Sequence, residues 1–221
     1  MKICAYTLTT DTGFAPNPFH GTCTLAACTP NHMGAKLVPG DWIAGFFRKD
    51  RTPYLVYAMR VEEVMGYDSY YWDSRFQEKK PREEGLPEDR CGDNIYHRDT
   101  SGKWLRDKGP HHQNDRSFEQ DTRYAIVYIG GVYAYFGRNA RINPLPNELR
   151  AVLKNGRGIK YTRESEPLFS SFLRWLEAMP IGIHGPPRDG KRNRCCPSST
   201  ARKSKAGAKQ APAQGCADAH P

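Results

Sequence analysis

PGDWIAGFFRKDRTPYLVYAMRVEEVM, residues 39–65, is the stretch whose reading decides the fold. Pro39-Gly40-Asp41 has turn chemistry. It launches an apolar run from Trp42 to Phe47, and the polar Arg48-Lys49-Asp50-Arg51 reverses the chain into a second run, Tyr54 to Met65. Two short runs rich in aromatic and β-branched residues on either side of a polar turn predict a β-hairpin.

Working outward toward the N-terminus, Ile3, Ala5 and Thr7 alternate with Cys4, Tyr6 and Leu8. Both faces could be buried, which predicts a central or barrel strand over Lys2–Thr9. Pro16 and Pro18 interrupt any ladder, because neither can donate a hydrogen bond. Thr24 to Cys28 reads as a second strand closed by Pro30-Asn31. In the other direction, Gly66 to about Phe118 is polar with aromatics interleaved. Tyr and Trp at that density rarely stay in solvent, so a long ordered insertion is expected. Tyr124 to Phe136 returns to strand, with Gly130-Gly131 as a kink or turn. Pro146 to Leu153 reads as a short helix. Pro167 to Met179 reads as a better one, with Phe169, Phe172, Leu173, Leu176 and Met179 along one face. There are no internal repeats. The expected class is α+β: a β-rich sheet structure with covering helices and a long polar insertion.

The chain has 221 residues, 38% of them hydrophobic and 11% aromatic, which suits one domain with an appendage. No window approaches the roughly 20 apolar residues of a membrane span. The first residues are too few and too polar for a secretory leader. A cytoplasmic location with no membrane partner is expected. Seven cysteines show no disulfide-framework spacing, so free thiols in a reducing compartment are expected. Residues 183–221 carry +6 of the net +9. They are rich in Ala, Gly, Pro, Ser and Lys and cannot bury enough surface to offset the entropy of ordering. The expected organisation is a folded domain over 1–183 and a disordered basic tail over 184–221, able to attract phosphates without reading sequence.

DTGFAPNPFHGTCTLAACTP, residues 11–30, is the densest stretch in candidate chemistry. Asp11-Thr12-Gly13 matches an aspartic-protease element. That chemistry needs two carboxylates sharing a proton, and the chain holds no second Asp-Thr-Gly. Cys23, Cys28 and His32, with His20 or Cys91, could be zinc ligands, but their spacing lacks two close pairs. Cys23 could be a nucleophile served by His20 and Asp11 if the fold brings them within hydrogen-bond reach. The residue types also support a base pocket. A base needs flat partners and fixed donors and acceptors. Phe14, Trp42, Tyr71, Trp72 and Tyr96 supply faces, and Thr12, Asn17, Asp93 and Asn94 supply edges. Pro16-Asn17-Pro18 would hold Asn17 in one orientation, and Asp11 would brace the turn with one oxygen left for a base.

The same residues carry a family resemblance. DTGFAPNPFHGTCTLAACTP, PGDWIAGF, LVYAMRV, DSRFQEKKP and GDNIY, in that order across residues 2–180, resemble the nucleotide modification associated domain 2 family. The resemblance implies a bacterial or phage protein of DNA-modification and conflict systems, and carries over no catalytic residue. Over about forty residues, Gly40-Asp41-Trp42-Ile43, YAMRVEEVMGY and Asp73-Ser74-Arg75-Phe76 are similar to the EVE, YTH, ASCH and PUA group of small barrels. That similarity implies a PUA-like barrel with a modified base in an aromatic pocket.

The expected function is a reader or accessory that binds a modified nucleotide or base in DNA. The ligand residues would be Asp11, Thr12, Phe14, Asn17, Trp42, Trp72, Asp93, Asn94 and Tyr96. No metal or cofactor is expected. DNA-modification enzymes are further candidate partners. The alternative is an enzyme of base or nucleotide modification using Asp11, His20 and Cys23.

Overall fold

The expected hairpin forms at the centre of the larger sheet. The computed structural model describes residues 1–109 and 111–189. The strands are β1 (Lys2–Thr7), β2 (Cys23–Leu25), β3 (Trp42–Lys49), β4 (Thr52–Arg60), β5 (Glu63–Gly66), β6 (Tyr96–Arg98), β7 (Trp104–Arg106), β8 (Ile126–Gly130), β9 (Tyr133–Tyr135), β10 (Ile159–Arg163) and β11 (Gly182–Ile183). The helices are α1 (Thr29–His32), α2 (Tyr67–Trp72), α3 (Asp115–Thr122) and α4 (Phe169–Glu177).

β3 and β4 pair antiparallel from Trp42 opposite Arg60 to Lys49 opposite Thr52. The loop is only Asp50-Arg51, both left-handed at φ 50° and 63°. Positive φ at both positions is the geometry whose twist suits a two-residue hairpin. β1 lies parallel to β3 and antiparallel to β10, so it is an interior strand. The full order is β10-β1-β3-β4-β9-β11.

The second run does not continue straight to Met65. After Arg60 the chain leaves the larger sheet through Val61-Glu62, whose amides bond to Asp41 and Ile129 carbonyls. It then enters a smaller antiparallel sheet of order β2-β8-β5. The run from Ile126 to Tyr135 makes the reverse crossing at Gly130-Gly131, as β8 passes into β9. A Cβ at Gly130 would lie 2.1 Å from the Arg60 carbonyl oxygen. The glycine is therefore required by the close approach of the two crossing chains. Closing a barrel would require the outer strands β10 and β11 to bond. Instead the long runs divert into a second sheet, and both sheets stay open. The PUA-like barrel is corrected to a mixed, mostly sheet structure with no closed barrel among the described residues.

α4 covers the larger sheet. Phe169, Phe172 and Leu176 are buried from the predicted face, and the Trp175 ring lies parallel to Phe46 at 6.3 Å. Pro146–Leu153 is a 3-10 turn, Asn147–Val152, and the strand expected over 24–28 stops at Leu25 before the single turn of α1. The insertion is ordered. It builds a second core from Tyr67, Tyr70, Phe76, Ile95 and Tyr96, packed against Phe14, Val127 and Ile129. No helix among the described residues is long and apolar enough to cross a membrane.

The expected tail boundary falls inside packed chain. Residues 184–189 return to the domain: the His184 amide bonds to the Tyr135 carbonyl, and the Asp189 amide to that of Asp11. The rest of the expected tail, from residue 190, lies outside the described residues.

Candidate nucleic-acid interface and the polar core beneath it

Asp11 is fully buried where β1 ends. One carboxylate oxygen accepts the Tyr135 hydroxyl at 2.7 Å and the other accepts the Arg188 amide at 3.0 Å. Burial pushes this carboxyl up, against the lowering effect of those bonds. Both oxygens are thus engaged inside the protein, where the sequence left one for a ligand. Gly13 turns the chain at φ 81°, and a Cβ there would meet Pro187 at 2.8 Å. Asp-Thr-Gly is a clamp on residues 187–189. Thr12 is buried, and its carbonyl accepts the Cys91 thiol. Phe14 inserts into the second core with His111 and His112 rings against it at 5.0 and 4.8 Å.

Asn17 is held in one orientation, by side-chain bonding beyond its flanking prolines. Its amide nitrogen donates to the Cys91 carbonyl at 2.8 Å. Its amide oxygen accepts the Lys79 ammonium at 2.9 Å, and the same ammonium reaches the Asn17 and Thr22 carbonyls. Lys79 is 1% exposed. Burial lowers its pKa to about 8, opposed by Asp93. Asp93 is equally buried and accepts Thr24 and Tyr70 hydroxyls at 2.8 and 2.7 Å. Burial raises its pKa, so desolvation moves both groups toward neutrality. Asn94 donates to the Tyr70 and Phe76 carbonyls at 3.1 Å, and its own side-chain oxygen has no partner. Tyr96 donates to Asp121 at 2.6 Å and stacks on Tyr67. Asn17, Asp93, Asn94 and Tyr96 therefore frame the insertion from inside, while Asp11 is bonded to Tyr135 and residues 188–189.

The structure places the alternative trio of Asp11, His20 and Cys23 as follows. Cys23 is fully buried in β2, and burial pushes its thiol up to about 12. His20 lies 3.6 Å from Asp89. Cys4, Cys23 and Cys28 are free thiols and buried, and Cys91 is buried as well. Among the described residues, no three His, Cys, Asp or Glu side chains converge as metal ligands.

The two candidate tryptophans separate. Trp42 is 5% exposed and packs in the main core, beside a groove of about 280 Å³ that Arg60, Tyr133 and Met179 also line. Trp72 is 68% exposed at the end of α2. Its ring stands edge-on to Tyr71, which stacks on His97 at 4.0 Å. The Lys80 ammonium sits 3.6 Å from the Tyr71 ring centre and 5.3 Å from that of Trp72. Asp107 fixes the Tyr71 hydroxyl at 2.7 Å. Leu105, paired with His97 across β6 and β7, is also exposed. Together they make an aromatic platform whose exposed ring is Trp72, standing perpendicular to the buried Tyr71, with a cation beside it. Lys79, Lys80, His97 and Asp121 escaped the sequence reading. The signal for the two lysines was the charged run QEKKP near the YYW cluster, and His97 and Asp121 carried none.

No curated protein and no solved structure matches the chain. A family match covers residues 1–194, which takes in both sheets, the insertion and the 184–189 return. The chain belongs to the nucleotide modification associated domain 2 family, a family associated with nucleotide modification.

Proposed function

We propose that this domain binds a modified nucleotide or base in DNA, as a reader or accessory of a DNA-modification system, with the base stacked on Trp72. The observation that carries the reading is the exposure of Trp72, edge-on to Tyr71, with the Lys80 ammonium beside both rings. A large aromatic face in solvent costs the fold and is an asset to a ligand with a π-face. The ammonium supplies an electrostatic partner for the adjoining phosphate. In this reading Asp11, Thr12, Phe14, Asn17, Asp93, Asn94 and Tyr96 shape and brace the platform, and Trp42 anchors the sheet behind it. The test is titration of single-stranded oligonucleotides, with and without a modified base, into the full chain and Trp72→Ala. Loss of the stacking face should cost about 1–3 kcal/mol. That corresponds to roughly a 5- to 150-fold weaker Kd. Equal affinity of the two proteins would refute the assignment.

A further inference from the structure

On the other side of the β6–β7 hairpin, one buried carboxylate organises two imidazoles. Asp121 in α3 is 1% exposed. Its Oδ1 lies 2.5 Å from His32 Nε2, and its Oδ2 lies 2.5 Å from His112 Nδ1 and 2.6 Å from the Tyr96 hydroxyl. Burial works against the charge on Asp121, but hydrogen bonds from His112, His32 and Tyr96 hold it below the usual carboxylate range. The rings remain accessible, with side-chain exposures of 16% for His32 and 28% for His112.

The loop bearing His112 is held rather than loose. The Arg106 guanidinium donates to the carbonyls of His112, Gln113 and Asn114 in succession. His112 itself sits at φ 53°, a left-handed conformation uncommon outside glycine. Such positions persist only where the surroundings impose them, and they cluster at functional sites. Phe14, from the Asp-Thr-Gly-Phe element, lies against the ring at 4.8 Å.

We propose that His112 is a general base acting on a nucleotide substrate, with Asp121 as its positioning residue. A carboxylate that accepts from Nδ1 fixes the tautomer and leaves Nε2 as the basic nitrogen. In the step assigned, an O–H bond of a water or substrate hydroxyl beside His112 breaks. The proton forms an N–H bond at Nε2, the electron pair stays on the oxygen, and Asp121 compensates the new imidazolium charge. A base so placed contributes about 10²–10⁴-fold to a rate. The nucleotide class rests on the platform reading, since the hairpin that presents His97 to Tyr71 also presents Tyr96 to Asp121.

The test uses the full chain. Nitrogen NMR at mildly alkaline pH should find the His112 proton on Nδ1 and Nε2 bare; a proton on Nε2 overturns the assignment. Diethyl pyrocarbonate labelling, mapped by mass spectrometry, should be slowed several-fold at His112 by millimolar deoxynucleoside monophosphates and unchanged at His184. Equal labelling of His112 with and without nucleotide also overturns it. Asp121→Asn should slow labelling of His112 in a chain that keeps its circular dichroism, whereas a purely structural carboxylate predicts unaltered reactivity. If that variant unfolds, the two measurements on the unaltered chain decide. Trp72-dependent DNA binding without protection of His112 removes this inference alone, and absence of both removes the platform reading as well.

Discussion

The two cores of this molecule are built on different principles. The larger sheet and α4 enclose an almost wholly apolar core, with Ile3, Ile43, Phe46, Leu55, Val56 and Phe172 at 0% exposure. The insertion's aromatic core is threaded with buried charged and amide groups: Lys79, Asn17, Asp93, Asn94 and Asp121, none more than 2% exposed. Hydrophobic burial is non-directional and tolerates repacking. A buried polar network is satisfied in one arrangement and costs heavily in any other. The first core supplies stability, and the second fixes positions, which a surface that presents Trp72 and His112 requires.

The largest expected effect lies in the apolar core. Phe172→Ala should destabilise by about 3–5 kcal/mol in denaturant titration, through lost burial and the cavity left behind. A cost below that of the polar substitutions would reverse the contrast. Lys79→Met should come next, at about 1–3 kcal/mol near neutral pH, since it orphans oxygens on Asn17 and Thr22.

Lys79 also has a pH signature of its own. It titrates at about 8 in the fold against 10.5 for the ordinary amine. Between those values the unfolded chain holds a proton that the fold has released, so stability rises with pH across the window. The rise from this group reaches about 3 kcal/mol if the whole window is crossed. Buried tyrosines such as Tyr70 and Tyr135, pushed well above 10, oppose it once unfolded tyrosines ionise. The difference between the unaltered chain and Lys79→Met, measured from pH 8 to 9.5, isolates the amine; identical slopes would contradict the account.

Gly13→Ala combines a left-handed backbone with contact against Pro187. A loss of about 1–3 kcal/mol is expected, together with release of residues 184–189 to proteolysis. Trp72→Ala should change stability least, within about 0.5 kcal/mol, because the side chain is exposed. A large destabilisation would make Trp72 a packing residue.

The legibility of the sequence follows the same division. The β3–β4 hairpin, the interior strand β1 and the buried face of α4 were readable because an apolar run, an alternation and a helical spacing are written locally in residues 42–47, 3–8 and 169–179. The crossings at Val61 and Gly130 were not, since a run that changes sheets keeps the same alternation. Glycine at 130–131 marked an irregularity without giving its direction. In the candidate site, Asp11, Asn17 and Asp93 stood out as polar residues among prolines and aromatics, but the partners they bond inside the fold were not legible. Lys79 stands 62 residues from Asn17, and Asp121 stands 89 from His32. Such pairs follow no periodicity, and a lysine in a charged run reads as solvent-facing.

In the proposed function the insertion, and not the larger sheet, meets the nucleic acid. Hydrogen exchange of the full chain, with and without a single-stranded oligonucleotide, tests it most directly. Added protection is expected in Tyr67–Trp72 and in residues 79–80 and 96–106, with the edge strands Ile159–Arg163 and Gly182–Ile183 unchanged. Protection confined to those edge strands, with none in the insertion, would contradict it.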